Sequence, residues 1–307
     1  HDHGIGVIID VVYNHFGPND LDLWRFTPWQ QNNKGGVYFY NDHRSQTPWG
    51  DTRPDYGRGE VRQYIRDNAL MWLEDYRCDG LRFDATAIIR NVYGNNDDPA
   101  NDIADGWSLL QWINTEINNR YPWKITIAED IRNNEWLTKD VGAGGAGFDT
   151  QWATEFLRPV RAALITANDQ DRNMLAVRDA IYHRYNTDAW ERVIYVESHD
   201  DVAASLNSEE RGDHYRLPEA IFRGHADSWY SRKRSTLGAI LVFTAPGIPM
   251  IFQGQEFLEW GSWSDNTPLD WQKKTTFAGI WDLYQALIRL RRNWFNNTRG
   301  LQGQHVD

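Results

Sequence analysis

Short apolar runs alternate with longer amphipathic segments along this chain, and each kind predicts one kind of element. The runs at Val7–Val12, Gly80–Phe83, Ile125–Ala128, Phe148–Trp152, Val193–Val196 and Ile248–Phe252 predict strands. Between them apolar positions return with a helical period. In Glu60–Tyr76 the side chains of Val61, Ile65, Ala69, Trp72, Leu73 and Tyr76 share one face. Gly106–Asn118, Asn173–Tyr182, Ser231–Val242 and Thr276–Arg292 predict further helices in the same way. Strand followed by helix, repeated, is the mark of βα units around a parallel sheet, so the fold class is α/β. Residues 16–58 break the rhythm. They are rich in Asn, Gly, Pro and Trp, and a loop longer than about 15 residues is usually a lid or a binding loop. They are expected to form an active-site excursion above the sheet.

Composition narrows the function. The 307 residues leave room for one large domain, since α/β barrels reach about 250 residues as a single unit. A formal net charge of −11 repels polyanions, which excludes nucleic acid as a partner, whereas a neutral polymer is acceptable. Sixteen Trp, fourteen Tyr and twelve Phe are many, and ring faces can hold the apolar faces of sugars, although most of these rings are expected to be core. No run of about 20 apolar residues would span a bilayer, and the opening residues lack the basic start and cleavage site of a signal peptide. No membrane association is therefore expected. The lone Cys78 demands no oxidising compartment, and the cytoplasm is the expected location.

The chemistry collects where the apolar runs end. In GLRFD a period of two puts Arg82 and Asp84 on the same face of a strand. Two charges there are costly unless they form a structural ion pair or act, and a guanidinium beside a carboxylate favours its ionised form. ITIAED ends on Glu129 and Asp130, VIYVESHD on Glu197, His199 and Asp200, and VIIDVVYNH carries Asp10 within the run and Asn14 and His15 beyond it. In a (β/α) barrel, the C-terminal ends of the strands are where active sites lie. By contrast, Gly142, Gly144 and Gly147 fit the spacing of a dinucleotide loop but precede a strand instead of following one, so they are read as a plain loop.

Taken in order, DVVYNH, GLRFD, AED and ESHD resemble the four signature regions of the α-amylase superfamily of glycoside hydrolases and transglycosidases, and GIPMIFQGQEF resembles its eighth strand and following loop. The resemblance implies a (β/α)8 TIM barrel acting on α-1,4-glucan such as glycogen, starch or amylose. It implies Asp84 as nucleophile, Glu129 as general acid/base and Asp200 as the third carboxylate, with Arg82 holding Asp84. His15 and His199 would bond sugar hydroxyls, and Asp10 and Asn14 would be structural. Retaining glycosidases need such a carboxylate and carboxylic acid about 5–5.5 Å apart, and they pass through a covalent glycosyl-enzyme intermediate.

That intermediate can be released by water or by a sugar hydroxyl. WGDTRPDYGRGEVRQYIRDNALMWLEDY, with Tyr56-Gly57-Arg58, resembles a segment of glucan branching enzymes, and Ser198 stands where branching enzymes typically carry serine. Trp49 and Tyr56 from this run join the substrate-binding candidates. ATAIIR replaces the Lys-His pair that follows the nucleophile in calcium-dependent amylases, so no cofactor or metal is expected, with a calcium role for Asn14 as the minor alternative. The expected reaction is transfer of an α-1,4-glucan chain to a 6-hydroxyl. An α-1,4-glucan hydrolase, including a trehalose-releasing type, is the alternative, and an inactive glucan-binding protein is the remote one. The resemblance places VIIDVVYNH at the third strand of eight, so residues 1–307 are expected to be a fragment holding strands three to eight, without the first two strands or a C-terminal β-sandwich.

Overall fold

The computed structural model describes residues 1–17, 23–203 and 214–306. They form two compact units, His1–Trp152 and Ala153–Asp307. Both alternate strand and helix in the manner of a (β/α) barrel.

The first unit is built on four parallel strands in chain order: β1 (Ile8–Val11), β2 (Gly80–Phe83), β3 (Ile125–Ala128) and β4 (Thr150–Trp152). Asp10 lies opposite Arg82, and Phe83 opposite Ala128, so the polar ends of three strands come level. Gly80 is required for that register, because a Cβ there would stand 2.5 Å from the Ile125 carbonyl oxygen. Among the described residues β1 pairs with β2 alone, and Ile8 is 46% exposed. Helix α1 (Gly59–Glu74) buries Val61, Ile65, Ala69 and Leu73, the face its period predicts. It ends two residues early, and Tyr76, expected on that face, is exposed. Helices α2 (Thr86–Arg90) and α3 (Ala104–Arg120) complete the unit. Side chains of α3 pin the glycine loop before β4: Trp107 and Gln111 donate to the Gly144 carbonyl and Asn114 to that of Ala146. Gly144 and Gly147 have φ of +96° and +77°, so these glycines shape a loop and open no helix.

Of the excursion at 16–58, residues 18–22 lie outside the described residues. The rest has a buried centre, with Phe39, Tyr40, Arg53 and Tyr56 at most 1% exposed, and an exposed rim that includes Phe26, Trp29 and Trp49. Arg53 ties it down by donating to the carbonyls of Arg44 and Val92.

In the second unit β5 (Arg192–Ile194) pairs in parallel with β6 (Ile248–Pro249). The sixth strand spans only two residues of its apolar run, and just beyond it the Met250 N–H donates to the Ile194 carbonyl at 2.9 Å. The same unit holds helices α4 (Thr154–Ile165), α5 (Met174–Tyr182), α6 (His199–Val202), α7 (Leu217–Ile221), α8 (Trp229–Thr244) and α9 (Ala278–Arg291). Phe156, Val160 and Leu164 of α4 pack with Val177, Ile194, Val196, Leu217 and Val242. Phe243 packs with Leu258, Ile280, Tyr284 and Leu287 in a second cluster. No described helix is long and apolar enough to cross a membrane.

Candidate active site

Arg82 organises the polar end of the first unit. It lies on β2, is 5% exposed and stacks its guanidinium 4.4 Å from the centre of the Trp152 ring. Its Nη1 donates to both oxygens of Asp10, at 2.7 and 2.8 Å, and to Oδ1 of Asp84 at 2.6 Å. Its Nη2 lies 3.7 Å from Oε2 of Glu129. Burial works against the Arg82 charge, but Glu129, Asp10 and Asp84 together hold its pKa above the ordinary arginine value. One guanidinium thus faces carboxylates from three neighbouring strands.

The two candidate catalytic carboxylates are held differently. Asp84 follows β2, and its second oxygen accepts from Nδ2 of Asn14 at 2.9 Å, while the same amide donates to the Asp84 carbonyl. A carboxylate and a carbonyl can only accept, so the NH2 of Asn14 must face Asp84 and its oxygen must face the other way. That oxygen is 2.5 Å from Nδ1 of His15, which therefore carries the proton and leaves Nε2 as the acceptor of the neutral ring. Burial lowers the His15 pKa below the ordinary value against the opposing pull of Asp84, which keeps that ring neutral near pH 7. His15 also stacks on Trp49, with centroids 4.5 Å apart and planes 14° apart, and Trp49 is 48% exposed.

Glu129 follows β3 and is 6% exposed. Its Oε2 accepts from the Ala85 N–H at 2.6 Å, and its carbonyl accepts from the Thr86 N–H at 2.8 Å. Asp130 turns away from this cluster and accepts two hydrogen bonds from Arg90, at 2.8 and 2.9 Å. It ties β3 to α2.

Tyr56, expected to bind substrate, is placed otherwise. It is fully buried, and its hydroxyl donates to the Tyr13 carbonyl at 2.8 Å, so it fixes the chain just beyond β1 and offers no surface to a ligand. Its neighbour Arg58 pairs with Asp55 and lies 4.9 Å from the Trp29 ring centre.

The second unit carries His199 and Asp200 on α6. Ser198 caps that helix: its N–H and hydroxyl both donate to Asp201, at 2.8 and 2.7 Å. His199 Nε2 is 3.5 Å from Asp200, and the His199 ring meets Trp263 edge-on at 5.9 Å. The side chains of His199 and Asp200 are 36% and 46% exposed. Glu197 also ends a strand run but is fully buried, accepts from the Leu217 N–H at 2.6 Å and lies 3.6 Å from Arg161. Burial pushes its pKa up, while Arg161 and the Leu217 amide oppose the rise. It anchors α7.

The first unit therefore gathers Asp10, Asn14, His15, Trp49, Arg82, Asp84 and Glu129, while His199 and Asp200 belong to the second. Sequence reasoning missed Ala85 as a donor, because nothing marks an alanine for a left-handed backbone. It missed Trp152 and Trp263 as partners of Arg82 and His199. Trp152 could have been suspected from its place at the end of a strand run.

Residues 18–285 match the family described as "Alpha amylase, catalytic domain". The 1,4-alpha-glucan branching enzyme of Pseudoalteromonas atlantica is 29% identical over 311 residues, covering 94% of this chain and 39% of that protein. That of Methylococcus capsulatus is 26% identical over 316 residues, covering 94% of this chain and 38% of that protein. The chain thus spans about two fifths of the length of these relatives. Among solved structures, a pullulanase complexed with maltotriose from Anoxybacillus sp. LM18-11 superposes with a TM-score of 0.63 at 22% identity, over 93% of this chain and 40% of that one.

Proposed function

The chain belongs to the α-amylase catalytic-domain family, and from that premise we propose that it is a retaining α-glucan-active enzyme whose reaction is branching of 1,4-α-glucan. The observation that carries the retaining chemistry is the Arg82 guanidinium that faces Asp84 and Glu129 together. A carboxylate nucleophile and a carboxylic acid held close by one cation match what a double-displacement mechanism requires.

Asp84 attacks the anomeric carbon as the glycosidic bond breaks, and Glu129 protonates the departing oxygen. The positive charge that develops on the sugar is stabilised by carboxylates, with Asp200 as the third. In the second step Glu129 takes a proton from the acceptor hydroxyl, which displaces Asp84 from the sugar. His15, neutral and presenting Nε2, accepts from a sugar hydroxyl, and Trp49 supplies a ring face against which a sugar packs.

Transfer is favoured over hydrolysis by Tyr56-Gly57-Arg58, by Ser198 and by the two branching-enzyme relatives. Amylose incubated with the full-length protein should gain α-1,6 signals in proton NMR with little gain in reducing ends. Reducing ends that rise steadily with no branch signal would establish an α-1,4-glucan hydrolase instead. The partner is an α-1,4-glucan such as glycogen, starch or amylose, and a cytoplasmic setting fits that role.

A further inference from the structure

We propose that Ala85 is a positioning residue for the acid/base: its main-chain N–H holds Oε2 of Glu129, so that the catalytic proton travels on Oε1. The proposal rests on the reading of Glu129 as the acid/base given above. Ala85 has φ +41° and ψ +52°, a left-handed conformation that a residue bearing a Cβ rarely adopts. Such outliers persist where the surroundings hold them, and they gather at functional sites. Here the positive φ turns the peptide between Asp84 and Ala85 relative to α2, and its N–H meets Oε2 of Glu129 at 2.6 Å. The next amide, of Thr86, bonds the Glu129 carbonyl at 2.8 Å, and the Thr86 hydroxyl bonds the same carbonyl at 3.0 Å. Two consecutive residues after the nucleophile thus clamp the main chain and the side chain of the acid/base.

The chemistry follows from what the donors are. The Ala85 amide donates to Oε2 and cannot accept a proton, and the positive Arg82 guanidinium faces the same oxygen from 3.7 Å. Oε2 is therefore the oxygen that keeps its lone pairs towards the protein, and Oε1 carries the proton. In the first step the Oε1–H bond breaks as the leaving oxygen takes the proton, the bond from the anomeric carbon to that oxygen breaks, and a bond from the same carbon to Asp84 forms. Glu129 is then an anion, and the Ala85 amide stabilises it when the charge appears. In the second step Oε1 recovers a proton from the acceptor hydroxyl while that hydroxyl's oxygen replaces Asp84. No electrons are gained or lost.

The direct test replaces residue 85 of the full chain by lactic acid through nonsense suppression, which exchanges the N–H for an ester oxygen and keeps the methyl group. With amylose as substrate, kcat should fall roughly 10- to 100-fold with KM nearly unchanged, as for a lost hydrogen bond to a charged group. The alkaline limb of the pH profile should move up by about one pH unit, because Glu129 without the donor keeps its proton longer. Ala85→Gly, which retains the N–H and adopts a left-handed backbone freely, should stay within about threefold of the parent. Should the ester variant not fold, Ala85→Val opposes the left-handed backbone and should move rate and pH profile in the same directions. An ester variant with the parent's rate and profile, or an Ala85→Gly variant that falls as far as the ester, overturns the proposal. Titration of 13Cδ-glutamate by NMR, with the Glu129 signal assigned from Glu129→Gln, reads the hydrogen bond without turnover. A midpoint that rises in the ester variant of a protein silent on amylose removes the proposed function and upholds the clamp. A midpoint that does not move removes the clamp whatever the activity.

Discussion

The two units treat their acids in opposite ways. In the first, the carboxylates of Asp84 and Glu129 face donors that position them: a guanidinium, an asparagine amide and a main-chain N–H. In the second, the enclosed acids are structural, and Glu259, 8% exposed, pairs with Lys273. Glu197 anchors the start of α7, and Glu155 lies beneath Tyr185 and near His183. Asp200, by contrast, is half-exposed on a capped helix of four residues. An acid at the end of an apolar run is therefore not by itself a catalytic signal. What separates Glu129 from Glu197 is the partner set, since Glu129 shares its guanidinium with a second carboxylate and Glu197 is enclosed with arginines of its own.

The largest break in this comparison should come from Arg82→Met. It leaves Asp10, Asp84 and Glu129 facing one another without their common cation. Removing one partner of a buried pair costs about 3–5 kcal/mol, and the partial exposure of Asp10 places this case near the lower figure. Urea unfolding should show a lower midpoint with an unchanged slope, and activity should be lost even where the variant is folded. A variant as stable and active as the parent would remove Arg82 from the centre of the site.

Glu155 sharpens the other side. Burial pushes its pKa up to about 7 from the ordinary 4.5, and the folded state therefore binds this proton more tightly than the unfolded chain does. The stability it contributes is fully present below about pH 4.5 and is lost as pH rises towards 7, a loss on the order of 3 kcal/mol for a side chain 13% exposed. Glu155→Gln should flatten the fall in Tm between pH 5 and pH 8, as followed by calorimetry across that range. A parent whose Tm does not fall there more than that of the variant contradicts the assignment of Glu155 as a buried structural acid.

The smallest effect is expected at Ser198. Ser198→Ala removes the hydroxyl that caps α6 and leaves the main-chain bond to Asp201, at a stability loss of about 1 kcal/mol. Because α6 carries His199 and Asp200, to which the proposed function gives roles at the sugar, kcat should fall a few-fold while Tm drops by about 2–4 °C. Unchanged kcat would show that Ser198 has no part in placing them.

Much of this was legible from the chain. Each of the six apolar runs overlaps a strand, although β4 reads Thr-Gln-Trp and β5 begins one residue before its run, at the buried Arg192. Helices α1, α3, α5, α8 and α9 fall on the periodic segments. Helix α4 was hidden by Pro159 at its sixth residue, whose missing N–H and ring contradict a helical reading even though Phe156, Val160 and Leu164 are buried on one face. Helices α2, α6 and α7 span five residues or fewer, too short to display a period. The acids and their shared arginine were legible as charges in apolar runs, whereas Tyr56 was misread. Its ring belongs to the packed interior of a segment whose composition suggested an exposed loop. The backbone turn at Ala85 leaves no trace in residue type, because an alanine carries no preference for a positive φ.

The central claim is that Asp84 and Glu129 divide the roles of nucleophile and acid/base. Trapping the glycosyl-enzyme with a fluorinated glucosyl inhibitor, followed by proteolysis and mass spectrometry, tests it most directly. The account predicts the sugar on a peptide containing Asp84 and none on that containing Glu129; a label on Glu129, with Asp84 unmodified, would contradict it.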